Sequence, residues 1–317
     1  MKKALITGAA GFVGNHLSEH LILNGIEVFG LIHPSHPAQH SKNLSKKIKI
    51  IKCDLLKKND LERVLKGNRF EYIFHLAAFS SPPQSFIDPT NTLKNNIIGQ
   101  LNLLEILASS NSDTKILIVG SSDEYGDVEE KYLPVAEDTP FSPQSPYAVS
   151  KIAQEMIGLQ FFLHNKLKTV RVRPFNHIGP GQSLLFAIPA FASQIAKLEK
   201  AGGGEMYVGN LNSWRDFTDV RDIAKAYLLA LEKGTPGDVY NIGSGKVYKI
   251  ADILEELISL AKVKIKVKLD PKLIRNMDAK KIYCDFSKFS TKTGWQPQVP
   301  IEKTLFDTIE YERKKLN

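Results

Sequence analysis

The chain has 317 residues, 43% hydrophobic and 24% charged, with a formal net charge of +8, enough for one large or two modest domains with a real core. Its lysines are spread rather than clustered, which reads as a solvated surface, leaves a polyanionic ligand as the sharper reading, and argues against nucleic-acid binding. Two cysteines, Cys53 and Cys284, have neither metal-ligand nor disulfide-framework spacing, so no metal site and a reducing compartment are expected.

Strand and helix signals alternate from the start. The first six residues run straight into a glycine motif, so no cleavable signal peptide is expected. No apolar run reaches the length of a membrane span. A cytoplasmic protein without membrane association is therefore expected. Residues 4–7 read as a short buried strand and 14–24 as a helix ended by Gly25. Strands follow at 27–32 and 49–53, a helix at 60–66, a strand at 72–76, a helix at 96–109 and a strand at 115–119. A long helix at 147–164 leads into a strand at 169–173. This alternation predicts an α/β fold, a Rossmann-type doubly wound parallel sheet.

After Arg173 the pattern loosens. Proline and glycine cluster at 174–181, and Gly202-Gly203-Gly204 makes another break. Helices are expected at 220–232 and 249–260, separated by a turn-rich stretch at 234–245. Residues 263–269 alternate lysine with apolar residues, as a half-exposed edge strand does. The expected division is a dinucleotide-binding domain over 1–173, to which later segments return, and a smaller, mainly substrate-binding lobe over 174–317.

Gly8, Gly11 and Gly14 fall between a strand and a helix, where glycines let the backbone approach a pyrophosphate at the positive end of the helix. The second strand ends Gly30-Leu31-Ile32-His33-Pro34-Ser35, without the acid that holds an adenosine ribose 2′-hydroxyl. NADP(H) is therefore the preferred cofactor, with NAD(H) possible. His33 and Ser35 are candidates for the 2′-phosphate, although His33 also reads as an exposed loop histidine. Asp54 follows the third strand, either facing the adenine amino group or capping the next helix.

Tyr147-Ala148-Val149-Ser150-Lys151 puts a phenol and an ammonium about one helical turn apart, on one face. A neighbouring ammonium lowers a phenol's pKa from about 10 toward working pH. The tyrosine can then move a proton to or from a carbinol or carbonyl oxygen while a nicotinamide moves the hydride.

These residues resemble the extended short-chain dehydrogenase/reductases that modify nucleotide sugars. The marks of the resemblance are Gly8-x-x-Gly11-x-x-Gly14, Asp54-Leu55, His75-Leu76-Ala77-Ala78, Asn96-x-x-Gly99, Ser121-Ser122 ahead of Tyr125-Gly126, Pro146-Tyr147-x-x-x-Lys151 and Arg215-Asp216-Phe217. They cover nearly the whole chain. The stretch Arg173-Pro174-Phe175-Asn176-His177-Ile178-Gly179-Pro180-Gly181-Gln182, with 208–211 and 215–222, looks like the GDP-4-keto-6-deoxy-D-mannose reductases within that family.

The resemblance implies a catalytic trio. Ser121 would hydrogen-bond the substrate oxygen at C4, Tyr147 would be the general acid, and Lys151 would tune the tyrosine and hold the nicotinamide ribose. It places Gly8, Gly11, Phe12, Val13, Gly14, His33, Asp54, Leu55, Leu76, Ala77 and Ala78, with Tyr147 and Lys151, around the cofactor. It implies a GDP-linked 4-keto-6-deoxy sugar as substrate, touched by Ser121, Asp123, Asn176 and Arg215. Arg215 would take the diphosphate with its planar donor fork, unless it pairs with Asp216; Arg221 is a second candidate. Asn176 also reads as a turn residue, and His177 as a packed histidine with no catalytic step. A homodimer is expected through the helices 96–109 and 147–164.

Three other readings stay open. A 4,6-dehydratase needs an extra acid/base group two residues after Ser121, where Asp123 stands, next to Glu124. A 4-epimerase uses the same trio but retains its cofactor, usually NAD. A cofactor-binding regulator typically loses the tyrosine or lysine, and both are present here.

Overall fold

Residues 1–35, 48–110, 113–274 and 281–316 are described by a computed structural model. In chain order the first half holds β1 (Lys3–Thr7), α1 (Phe12–Leu23), β2 (Glu27–Ile32), β3 (Lys49–Lys52), α2 (Lys58–Lys66), β4 (Tyr72–His75), α3 (Pro82–Ile87) and α4 (Pro89–Leu93). A single π-turn, Lys94–Ile98, joins α4 to α5 (Gly99–Ser109), followed by β5 (Lys115–Val119), α6 (Pro146–Asn165), β6 (Lys168–Pro174) and β7 (His177–Ile178). Next come α7 (Ala187–Ala201), β8 (Gly204–Val208), β9 (Trp214–Asp216), β10 (Thr218–Asp219), α8 (Val220–Lys233) and β11 (Val239–Ile242). The chain closes with β12 (Val247–Lys249), α9 (Ile250–Ser259), β13 (Ile265–Leu269), β14 (Lys281–Ile282), α10 (Ser287–Thr293) and α11 (Ile301–Leu316).

Seven parallel strands form the main sheet in the order β11-β6-β5-β4-β1-β2-β3. Successive side chains of a strand face opposite sides, and both sides are covered. Ala4 and Ile6 of β1 and Leu117 of β5 join a core with Leu17 and Leu21 of α1 and Tyr227 and Leu231 of α8. Leu5, Ile116 and Ile118 point the other way, against Leu61, Leu103, Leu107 and Phe161 of α2, α5 and α6. In α1 the buried positions Gly14, Leu17, Ser18 and Leu21 recur at helical spacing. The sheet is thus doubly wound, as expected from the β–α alternation.

The stretch 234–245, expected to be turn-rich, contains β11, which pairs with β6 as the edge strand of the main sheet. Helix α5 does not begin at 96 but continues a helical run from Pro89 through the π-turn. Beyond β6, a separate core gathers Phe191 and Ile195 of α7, Met206 of β8, Ile253 and Leu257 of α9, and Leu305 and Ile309 of α11. The expected edge strand at 263–269 is β13, whose residues beyond Ile265 are exposed and which pairs with β8. Among the described residues, no helix is long and apolar enough to cross a membrane.

Candidate active site

The carboxyl ends of the sheet strands open into a cleft of about 2110 Å³, the position expected for a ligand site in a doubly wound sheet. Most of the candidate residues from the sequence line this one cleft: the glycine loop, His33, Asp54, Leu55, Leu76, Ala77, Ala78, Ser121, Asp123, Tyr147, Lys151, Asn176 and Arg215, whereas Arg221 and Glu124 do not.

The glycine loop leaves β1 and enters α1. Gly8 has φ +72°, and a Cβ there would meet Ala77 Cα at 3.0 Å. A Cβ on Gly14 would lie 2.5 Å from the Gly8 carbonyl oxygen and 2.8 Å from Ala9 Cα. Asn15 Nδ2 donates to the carbonyls of Ala10 at 3.2 Å and Gly11 at 2.9 Å, fixing the loop. Gly11 is the N-cap of α1, so the loop presents side-chain-free backbone and the positive end of a helix. That cradle fits a dinucleotide pyrophosphate.

Thr7 Oγ1 accepts the backbone N–H groups of Leu76 and Ala77, each at 3.1 Å, and sets the end of β4 beside the loop. Across the cleft mouth, His33 Nδ1 accepts the Ser35 N–H at 3.2 Å and lies 2.7 Å from Ser35 Oγ. Its Nε2 lies 3.7 Å from Asp54 Oδ2, while Asp54 Oδ1 accepts the Leu56 N–H at 2.9 Å. Asp54 therefore serves the local turn and faces His33 with its other oxygen. Phe12 stacks on His177, ring centroids 6.1 Å apart, joining the start of α1 to β7. Burial lowers the pKa of His177.

Tyr147 and Lys151 project from the first turns of α6. Ser145 caps that helix by accepting the Ala148 N–H at 3.1 Å, with Pro146 in the first turn. Two polar side chains given no site role in the sequence reading brace it further. Ser85 Oγ accepts the Tyr147 N–H at 3.2 Å. Asn96, in the π-turn, donates to Ser150 Oγ at 2.9 Å and accepts the Phe79 N–H at 2.8 Å. Lys151 Nζ lies 5.9 Å from the centre of the Tyr147 ring and donates to the Val119 carbonyl at 2.8 Å.

The electrostatics depart from the expectation of a phenol acidified by its lysine. Burial raises the Tyr147 pKa above the usual phenol range, the nearby Asp123 adds to it, and the Ser121 hydroxyl works against it. Burial also pushes the Lys151 ammonium down to about 8. The phenol is therefore held protonated, and the lysine is poised near working pH.

The two neighbouring acids separate. Asp123 lines the cleft, whereas Glu124 is fully buried beneath it. Glu124 Oε1 accepts the Ser121 N–H at 2.8 Å and Ser121 Oγ accepts the Asp123 N–H at 3.1 Å, a reciprocal cap on the short turn Ser122–Glu124. Asp216 does not serve Arg215 as an ion-pair partner: its carboxylate accepts donors from Ser244, Gly245 and Cys284. Arg215 Nη1 donates to the Trp214 carbonyl at 2.9 Å. Arg221 pairs with Asp219 and Asp307, at 2.7 and 2.8 Å.

Residues 5–308 match the family described as GDP-mannose 4,6 dehydratase. The chain is 34% identical to a GDP-6-deoxy-D-mannose reductase of Pseudomonas aeruginosa, over 96% of this chain and 95% of that protein. The solved structure of RMD from Pseudomonas aeruginosa complexed with NADPH superposes with a TM-score of 0.87 at 32% identity, covering 99% and 100% of the two chains. A UDP-glucose 4-epimerase of Thermotoga maritima with UDP-glucose gives 0.89 at 30% identity, covering 99% and 100%. With a glycine cradle, a serine, a tyrosine and a lysine converging on one cleft, and similarity along nearly its whole length, the chain belongs to the GDP-mannose 4,6-dehydratase family of NAD(P)-dependent nucleotide-sugar enzymes.

Proposed function

We propose that this protein reduces the C4 ketone of a GDP-4-keto-6-deoxy-hexose with NADPH, giving GDP-D-rhamnose or its C4 epimer, with NAD(H) as an alternative cofactor. The observation that carries this reading is the buried Tyr147 phenol, kept in its proton-donating form beside Ser121 and Lys151 in the cleft of the glycine cradle. Reduction of a ketone consumes a proton at the oxygen, and a phenol that is protonated at neutral pH can supply it. The similarity to a GDP-6-deoxy-D-mannose reductase and to an NADPH-bound structure supports the same substrate class and cofactor.

A bound reduced nicotinamide supplies the hydride. Tyr147 donates its proton to the C4 oxygen, and the Ser121 hydroxyl donates a hydrogen bond to the same oxygen. The Lys151 ammonium stabilises the phenolate left behind. Arg215 holds the diphosphate and Asn176 the sugar, while the loop from Gly8 to Gly14 holds the cofactor pyrophosphate. His33 and Ser35 serve its 2′-phosphate. In this reading residues 1–173, with α8 and β11, form the dinucleotide domain, and the remainder of 174–317 forms the substrate lobe around its separate core.

A homodimer is part of the proposal. Val149, Met156 and Leu163 of α6 are 46%, 38% and 58% exposed and lie seven residues apart, on the face opposite Tyr147 and Lys151. Two turns of helix separate them, so they form one apolar stripe. Cys53 and Cys284 are buried unpaired thiols, which fits a cytoplasmic setting.

Asp123 at the cleft favours a second reading, a 4,6-dehydratase, because elimination needs a further acid/base group there. The test is NADPH oxidation with GDP-4-keto-6-deoxy-mannose, run beside GDP-mannose without added cofactor. Rapid oxidation with GDP-mannose inert supports the reductase. Conversion of GDP-mannose to a keto product without net NADPH use makes the protein a dehydratase and brings Asp123 into the acid–base set. Interconversion of C4 epimers with retained NAD would make it an epimerase.

A further inference from the structure

We propose that Glu124 is a positioning residue for the reduction proposed above, tying Ser121 to the Arg173–Glu155 pair that lies under Tyr147 and Lys151. The carboxyl of Glu124 does not reach the cleft. Its Oε1 accepts the Ser121 N–H at 2.8 Å. A Cβ on Gly120 would lie 2.4 Å from that oxygen, so the approach depends on a glycine one residue before Ser121.

The other oxygen meets a committed partner. Arg173 donates Nε to Glu155 Oε2 at 2.8 Å and Nη2 to Glu155 Oε1 at 2.6 Å. Its Nη1 serves Tyr125 Oη at 2.7 Å and the Glu137 carbonyl at 2.8 Å. Glu124 Oε2 lies 3.4 Å from Arg173 Nε and receives no hydrogen bond. Arg171, Arg173 and Tyr125 face this cluster along with Glu155, and Lys151 and Tyr147 stand above it.

Arg171 and Arg173 both give hydrogen bonds to Glu155, so a charge on the fully buried Glu124 would have no hydrogen-bonded cation to offset it. One proton between the two carboxyl groups gives Glu124 Oε2 an O–H to donate toward Glu155 and removes the unsatisfied atom. Burial, reinforced by Glu155, raises the Glu124 pKa accordingly. The proton matters for chemistry. Negative charge develops on the substrate oxygen next to Ser121, and an ionised Glu124 directly behind that serine would oppose it. A neutral carboxylic acid keeps the cap on Ser121 without that repulsion.

Glu155 is one turn beyond Lys151 on α6, and Glu124 is three residues beyond Ser121. The Arg173 cluster therefore fixes the serine-bearing turn relative to the helix that carries the phenol and the lysine.

Glu124→Gln and Glu124→Leu test this. Gln keeps the oxygen for the Ser121 N–H and an N–H toward Glu155; Leu keeps neither. Glu124→Leu should lower kcat about 10- to 100-fold, the scale of a small misplacement of a reacting group, with KM and NADPH affinity little changed. Glu124→Gln should stay near wild type. The infrared carbonyl band of a protonated carboxylic acid should be present in the wild type and lost in Glu124→Gln. Hydrogen exchange at the Ser121 amide should be slow in the wild type and Gln protein and fast in Leu. Wild-type kcat in Glu124→Leu, equal damage in both variants, or no lost infrared band would overturn the proposal. If the wild type does not reduce the keto sugar, the proposed function fails, while the infrared and exchange measurements still decide the role of Glu124. If Glu124→Leu does not fold, the comparison of Gln with wild type decides it by the same two measurements.

Discussion

The ammonium of Lys151 donates to the backbone carbonyl of Val119 at 2.8 Å, a bond from helix α6 to the last residue of strand β5. It holds the lysine beside the phenol of Tyr147, where both line the cleft. Burial lowers its pKa from the ordinary 10.5 to about 8. In the proposed reduction the charged form stabilises the phenolate, so kcat should fall as pH rises through about 8. Lys151→Arg, which stays charged, should remove that decline at the cost of a lower plateau. For stability the sign is opposite. Between about 8 and 10.5 the unfolded chain holds a proton that the folded lysine has released, so this group makes the fold more stable as pH rises across that window. A kcat profile that stays flat well above pH 8 would contradict the assignment of Lys151.

Tyr147→Phe and Gly14→Ala should fail in opposite ways. Phe keeps the buried ring and loses only the proton donor, so turnover should drop about 10²- to 10⁴-fold, the usual worth of a general acid. NADPH binding, read by fluorescence titration, should be unchanged. Ala at 14 would set a Cβ 2.5 Å from the Gly8 carbonyl oxygen, backbone that cannot rotate away. Overpacking of this kind costs about 1–3 kcal/mol, which weakens NADPH binding about 5- to 150-fold if it falls on the bound state. Loss of NADPH affinity in Tyr147→Phe with normal turnover would refute the general-acid assignment.

What could be read from the sequence was local. The glycine loop, the tyrosine–lysine spacing and the β–α alternation each depend on residues within one or two turns of each other. Strand β11 escaped because Gly234, Gly237, Gly243 and Gly245 surround it and its central Asn241 is polar. That asparagine is satisfied only in the fold, accepting from Tyr125 Oη at 2.7 Å and donating to the Val135 carbonyl at 2.9 Å. The π-turn around Asn96 escaped for the same reason, since Phe79 and Ser150 supply its partners. Adjacent acids 123 and 124 look alike in sequence. Gly120, just before Ser121, leaves room for the Glu124 carboxyl, and Arg173, brought in by β6, lies beside it, so one acid faces the cleft and the other turns inward.

Asp216 should matter through the strand it anchors. Its Oδ1 accepts the N–H and hydroxyl of Ser244 at 2.8 and 2.5 Å, and its Oδ2 accepts the N–H groups of Gly245 and Cys284 at 2.9 and 3.1 Å. Those bonds clamp β9 where it pairs with both β12 and β14, and Arg215 is the residue before it. Asp216→Ala would leave four buried or half-buried donors unmet, a loss of about 2–4 kcal/mol. It should also raise KM for the nucleotide sugar more than it lowers kcat, because the Arg215 backbone loses its anchor. Denaturant unfolding and steady-state kinetics check the two effects. Normal stability with an unchanged KM would leave Asp216 without the anchoring role.

The apolar stripe of α6 gives the last prediction. Leu163 is 58% exposed and Met156 38%, on a helix whose opposite face carries Tyr147, Lys151 and Glu155 into the interior. In the proposed homodimer, the leucine and methionine left at such exposure along one helical face would be buried against a second copy. A charge there would have to be desolvated in the assembly and not in the monomer. Met156→Glu and Leu163→Glu should therefore shift the protein from dimer to monomer in sedimentation velocity, with the monomer still folded and still binding NADPH, because the cofactor cradle lies on β1 and α1. A wild-type protein that sediments as a monomer at every concentration would remove the dimer from the proposal. An unchanged dimer in both variants would place its interface on another face of the molecule.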